Sequence, residues 1–150
     1  MKKLLFIVPL LLFGSDKVCT KCSLNKAQMK CEYYVALKGD TSKASLCESY
    51  ADYLNKTQVF GKASWYYLLA KKPGRAIEAA KNAIKNGENF AYEYMADGYL
   101  ILGQKDLAKK YYTKFKEAVG DPRFFVSKDF KVLDKLYENF DEKEAKQLLQ

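Results

Sequence analysis

The residues of this chain best equipped for chemistry are its four cysteines, Cys19, Cys22, Cys31 and Cys47. Cys19-Thr20-Lys21-Cys22 has the C-x-x-C spacing of a thiol–disulfide pair. Such pairs open a helix in a strand-rich redox fold, and no strand-like alternation surrounds this one. A c-type haem attachment needs histidine directly after the second cysteine; residue 23 is serine. A four-thiolate zinc site would have the spacing C-x2-C-x8-C-x15-C, which is not a familiar zinc pattern, and thiols in an oxidising compartment tend to pair instead. What remains is a structural disulfide, either Cys19–Cys22 or an exchange with the other pair. A redox-linked accessory role for Cys19 and Cys22 is the alternative.

Other catalytic chemistry has little to work with. The chain contains no histidine, so the commonest general base and the usual activator of serine or cysteine nucleophiles are missing. Gly98 and Gly103 are isolated and do not form a phosphate-cradling loop. The carboxylates are scattered. The expectation is a protein that binds and does not catalyse, with no cofactor, metal or small-molecule substrate.

The elements that position the cysteines are helical. Leu24, Ala27, Cys31 and Val35 step by three and four, as do Ala44, Cys47, Ala51 and Leu54; each series is one apolar stripe. Gly39-Asp40 marks a turn between them. Cys31 and Cys47 lie eight residues either side of Gly39, hence at one height in an antiparallel hairpin, roughly 12 Å from the turn at 1.5 Å per residue. A Cys31–Cys47 staple is predicted, closing a loop of about 16 residues and contributing roughly 3 kcal/mol in the chain-entropy model.

Further helices are expected over 58–70, 75–85, 89–102 and 106–119, with the first two over 23–37 and 41–55 and Ser23 as the first N-cap. Pro73 suits a helix start, and Gly87 a C-terminal cap. A seventh helix within 124–140 carries Phe130, Leu133, Leu136, Tyr137 and Phe140 on one face. Asp141 and Glu144 form a capping-box-like pair for a short last helix. No segment alternates with period two.

The leader bears on compartment. Met1-Lys2-Lys3 is a positive start, Leu4 to Phe13 an apolar run, and Gly14-Ser15 are small, the layout of a secretory signal peptide. The run is shorter than the roughly 20 residues of a membrane-spanning helix. The chain therefore reads as residues 1–15 signal peptide, 16–23 a lead-in carrying the C-x-x-C, 24–122 helical hairpins, and 123–150 capping helices. A periplasmic or secreted location follows, in which an even number of cysteines reads as disulfides.

Without Lys2 and Lys3 the 26 basic residues become 24, against 18 acidic, a net of +6. Only Arg75 and Arg123 are arginine. Lysines spread along helices are ordinarily solvated faces, and nucleic-acid binding would call for a clustered stripe with arginine. Peripheral contact with anionic lipid is the most the charge allows, since no run of lysines is dense.

Ala44, Ala76 and Ala108 recur every thirty-two residues, with Val35, Tyr67 and Tyr99 nine upstream and Gly39, Lys71 and Gly103 five upstream. Phe60, Tyr92 and Phe124 share the period. A repeat of this length in a helix-forming sequence marks stacked hairpins. The stretch from Tyr94 to Tyr112, with small Ala96, aromatic Tyr99, turn Gly103, small Ala108 and aromatic Tyr112, resembles the tetratricopeptide repeat. Ser64, Tyr67, Ala76 and Ala80 repeat it less closely, and Ala36, Gly39 and Ala44 weakly. The resemblance covers about residues 24–122. It implies an all-α, right-handed superhelix of about three hairpins closed by C-terminal helices. It also implies a concave groove lined by the first helix of each hairpin. Carried onto this sequence, that face comprises Lys26, Met29 and Tyr33; Gly61, Trp65 and Leu68; and Phe90, Glu93, Asp97 and Leu100. The expected function is an exported interaction scaffold of a bacterial cell envelope, holding a peptide or protein segment against Met29, Tyr33, Trp65, Glu93 and Asp97. Glu93 and Asp97 would favour a basic ligand, although carboxylates one turn apart are also ordinary surface.

Overall fold

The computed structural model describes the backbone of residues 20–120 and 123–150. The expected signal peptide and Cys19 lie outside the described residues, as does the side chain of Cys22. Among the described residues every regular element is helical. Helix α1, Thr20–Lys30, runs directly into a π-helical segment, Cys31–Leu37. A 3-10 turn at Thr41–Lys43 leads into α2, Ala44–Lys56. There follow α3 (Phe60–Leu69), α4 (Pro73–Lys85), α5 (Ala91–Ile101), α6 (Lys105–Val119), α7 (Arg123–Leu136) and α8 (Glu142–Leu149). Ser23 is inside α1 and does not cap it. The first helix also differs from a plain α-helix over 31–37, where the winding widens from the cysteine onward.

The thirty-two-residue period marks the turns. Gly39, Lys71 and Gly103 all adopt left-handed backbone, with φ of 74°, 62° and 74°. This conformation ends a helix by letting the following amides reach back to its last carbonyls. The Lys72 N–H donates to Tyr67 O, and the Gln104 N–H to Tyr99 O, both at 2.9 Å. In the first repeat the Asp40 N–H reaches Tyr34 O, one residue further back, because the π-helical turn contains an extra residue per turn. Glycine adopts this backbone without steric cost. Lys71 bears the cost and uses its side chain, whose Nζ donates to Leu136 O at 2.5 Å and lies 4.3 Å from the Tyr137 ring centroid.

Helix starts follow local chemistry. Pro73 is the first residue of α4, where its missing N–H has no intrahelical partner to lose. Asp141 accepts from the Lys143 and Glu144 amides at 2.7 and 3.2 Å, capping α8. Asp40 does the same for Ser42 before the 3-10 turn.

Each helix from α1 to α5 packs on the next, and α3 also meets α5 and the π-helical segment. The expected staple is present: Cys31 and Cys47 are joined with S–S 2.06 Å and Cα–Cα 5.0 Å. Both are fully buried, together with Val35 and Ala51. The repeated Ala76 and Ala108 are fully buried as well, small side chains that let neighbouring helices approach. Gly98 serves the same end in α5: a Cβ there would meet Ile77 Cγ1 at 2.7 Å and Pro73 O at 3.3 Å. A cluster of buried side chains extends from Cys31 to Leu149, with a smaller one of Ile77, Ala80, Ala83, Ala91 and Met95 between α4 and α5.

The C-terminal helices are not a separate layer. Helix α8 packs on α6, while α7 turns back against α3 and the π-helical segment. Phe130, Leu133, Leu136, Tyr137 and Phe140 are all buried, and the Tyr137 hydroxyl donates to Leu68 O at 2.6 Å.

Candidate partner-binding face

The first helix presents two opposite faces. Cys31 and Val35 are turned into the core, so Met29, Tyr33 and Leu37, each four residues from the next, face away from it. Met29 is 70% exposed, Tyr33 50% and Leu37 63%. Large apolar side chains in a row on one exposed face are the mark of a contact surface. Tyr33 stands edge-on to Tyr34 with centroids 5.0 Å apart, and the Lys38 ammonium lies 5.6 Å from the Tyr33 centroid. Lys26 is exposed beside this stripe. The disulfide and α2 hold the face from behind.

The other expected groove residues sit differently. Trp65 is half-buried and tilts against Tyr94 of the next odd-numbered helix at 5.7 Å, so its ring packs between hairpins. Gly61, Leu68 and Leu100 are buried. Glu93 and Asp97, which an ordinary surface would leave in water, are 4% and 0% exposed. Here the surface expectation is corrected. Helix α7 is tied to them through α6: Phe130 meets the Tyr112 ring at 5.8 Å, and the Tyr112 hydroxyl donates to Asp97 Oδ1 at 2.5 Å. Glu93 Oε1 and Asp97 Oδ2 are buried and have no hydrogen-bond partner among the described residues.

The electrostatics follow from that burial. Removal from water, then the neighbouring Asp97 and Asp129, push the Glu93 carboxyl well above the usual range. Burial raises Asp97 too, with Asp129 adding to it and the Tyr112 hydrogen bond opposing. Asp129, on α7, is pushed up to about 6 by burial, against the pull of Lys128. Burial and mutual repulsion thus disfavour the charged forms of all three carboxyls. Burial and the adjacent Asp97 also raise Tyr112.

A second polar tie runs from the π-helical segment to α3. Glu32 accepts from the Tyr66 hydroxyl and from Gln28 Nε2 at 3.0 Å. Partial burial works to raise this carboxyl, but those bonds with Lys62 and Lys128 bring it below the usual value. Across α2, α3 and α4, Arg75 binds Asp52 at 2.7 Å and Glu48 at 3.1 Å and lies over the Tyr67 ring at 4.3 Å. Burial followed by the hydrogen bond to Asp52 pushes Tyr67 up to about 12. These contacts orient helices; none forms a nucleophile–base pair.

The structure therefore brings together Met29 and Tyr33 on an open face, encloses Glu93 with Asp97, and separates the two groups. Sequence reasoning missed Leu37, although its place four residues after Tyr33 signals it. It also missed Asp129, for which no local signal exists. Comparison with protein-family models, curated proteins and solved structures gave no match to this chain.

Proposed function

We propose that this chain is an exported protein–protein interaction scaffold of a bacterial cell envelope, built as a tetratricopeptide-like stack and binding a peptide or protein segment without chemistry of its own. The observation that supports it best is the exposed row of Met29, Tyr33 and Leu37 on a disulfide-held hairpin. A rigid backbone carrying solvated apolar side chains loses little entropy on binding, and an aromatic such as Tyr33 is a common energetic anchor. A partner helix or extended segment would lay apolar side chains against this row. The absence of histidine and the use of the buried acids in packing agree with a binding role. Export through residues 1–15 accounts for an oxidised pair at Cys31 and Cys47.

The test is crosslinking and affinity capture from envelope extracts with the wild-type chain and with Met29→Ala/Tyr33→Ala. The expected outcome is a discrete partner held by the wild type and released by the double variant at unchanged melting temperature. Equal capture by both chains would remove this face from consideration. N-terminal sequencing of the exported chain checks removal of the leader.

A further inference from the structure

A second feature lies away from the Met29 row, between α4, α5 and α6. An open surface depression of about 400 Å³ is lined there by Lys81 and Lys85 of α4 and by Lys110 and Lys114 of α6, with Tyr92 and Tyr111 among its lining rings. Each lysine pair is spaced by four residues, so each forms a rail along one helix face. The lining between the rails is aromatic and apolar. Tyr111 is stacked with Tyr92 at 6.3 Å and with Tyr99 at 5.4 Å, interplanar angles 16° and 11°, and Met95 completes it.

The charge on the rails is poorly compensated. Among the described residues Lys81 is paired with Glu78 at 2.6 Å, and no carboxylate lines the depression. The Lys110 and Lys114 ammoniums stand 5.6 and 5.7 Å from the Tyr111 and Tyr92 ring centroids. A ring face attracts a cation without neutralising it, so these contacts position charge and leave it available. Lys85, Lys110 and Lys114 therefore line one depression from two sides, beside the paired Lys81.

We propose that this lysine-railed depression is a binding site for a phosphate-bearing group joined to an apolar or planar portion. The charged part would lie between the rails and the remainder against Tyr92, Tyr111 and Met95. The rails are lysine throughout, and lysine binds phosphate as a point charge. A phosphate monoester carries close to two charges near neutral pH and three acceptor oxygens, and a phosphodiester head group carries one charge and two such oxygens; either suits several point charges around it. Such a group has two natural sources, a soluble organic phosphate or the head group of an anionic lipid.

The probes are phenyl phosphate, inorganic phosphate, and vesicles of phosphatidylglycerol with phosphatidylcholine vesicles as reference. Binding is followed by calorimetry and by chemical-shift changes at Tyr92 and Tyr111 in low salt. Lys85→Gln/Lys114→Gln is compared with Lys43→Gln/Lys56→Gln, which removes the same charge from exposed positions elsewhere. Phenyl phosphate binding several-fold tighter than inorganic phosphate, weakened at least tenfold by the first pair and less than twofold by the second, supports a soluble ligand. The same variant pattern with phosphatidylglycerol vesicles, and little binding to phosphatidylcholine, supports a lipid head group. The proposal is overturned if neither phenyl phosphate nor the anionic vesicles bind, or if the two lysine pairs matter equally.

Discussion

Asp129 is the residue whose protonation reports on how α7 is held. Its carboxyl is half-buried and raised to about 6, against roughly 3.9 in an unfolded chain. It faces Glu93 and Asp97 of α5, both also raised, with Tyr94 and Tyr112 nearby and Lys128 as the opposing cation. The folded chain thus holds its proton to higher pH than the unfolded chain does. The stability this provides is fully present below about pH 4 and is lost as pH rises through about 6. A shift of that size corresponds to about 3 kcal/mol in order of magnitude. Asp129→Asn keeps the shape and removes the ionisation. It is expected to raise the melting temperature at pH 7.5 and to leave it nearly unchanged at pH 4, so that its advantage grows across pH 4–6. Thermal melts of both chains over pH 4–8 check this; a pH-independent difference between them contradicts it.

At the scale of elements, the close approach of α4 and α5 rests on Gly98. It lies in the helix interior, where glycine costs roughly 0.5–1 kcal/mol relative to alanine, so a propensity argument alone makes Gly98→Ala stabilising. Packing reverses the sign, because the added methyl would collide with Ile77 and crowd a backbone oxygen of Pro73. Gly98→Ala is expected to cost about 1–3 kcal/mol. Gly74, in the first turn of α4, has open space where a Cβ would stand, and Gly74→Ala is expected to be neutral or stabilising by up to about 1 kcal/mol. Urea unfolding of the two variants side by side separates packing from propensity. The turn positions teach the same lesson in reverse. Lys71 takes a backbone usually reserved for glycine because its ammonium ties the end of α3 to α7.

On the scale of the whole molecule, the last two helices complete the core. Phe130, Leu133, Leu136, Tyr137 and Phe140 are buried between α7 and the stack, each worth about 1.5–3 kcal/mol when fully removed from water. Their sum exceeds much of the 5–15 kcal/mol by which a domain is ordinarily stable. A chain ending at Gly120 is therefore expected to melt at least 15 °C lower than the full chain, and to bind a hydrophobic dye through the surface left bare. An unchanged melting curve would show that α7 and α8 are dispensable. Charge also acts at this scale. The chain's formal net charge is +8, yet the lysines that meet around one depression come from two helices about thirty residues apart in the sequence.

Read alone, the chain determined its helices, its turns and its staple, because each depends on residues close in sequence. Period 3.6 marks a buried stripe, glycine marks left-handed backbone, and equal distances from a turn bring Cys31 opposite Cys47. Met29 and Tyr33 entered through the resemblance to the tetratricopeptide repeat, which implies that face, and both are exposed. Helix positions hold only to a few residues, as at Ser23, and the π-helical winding at 31–37 carried no signal distinct from an α-helix. The enclosure of Glu93 and Asp97 was decided by tertiary structure: it depends on where α7 comes to rest, and no spacing within α5 encodes that. The gathering of Lys81, Lys85, Lys110 and Lys114 was decided in the same way, by two neighbouring helices that set separate pairs of charges around one hollow.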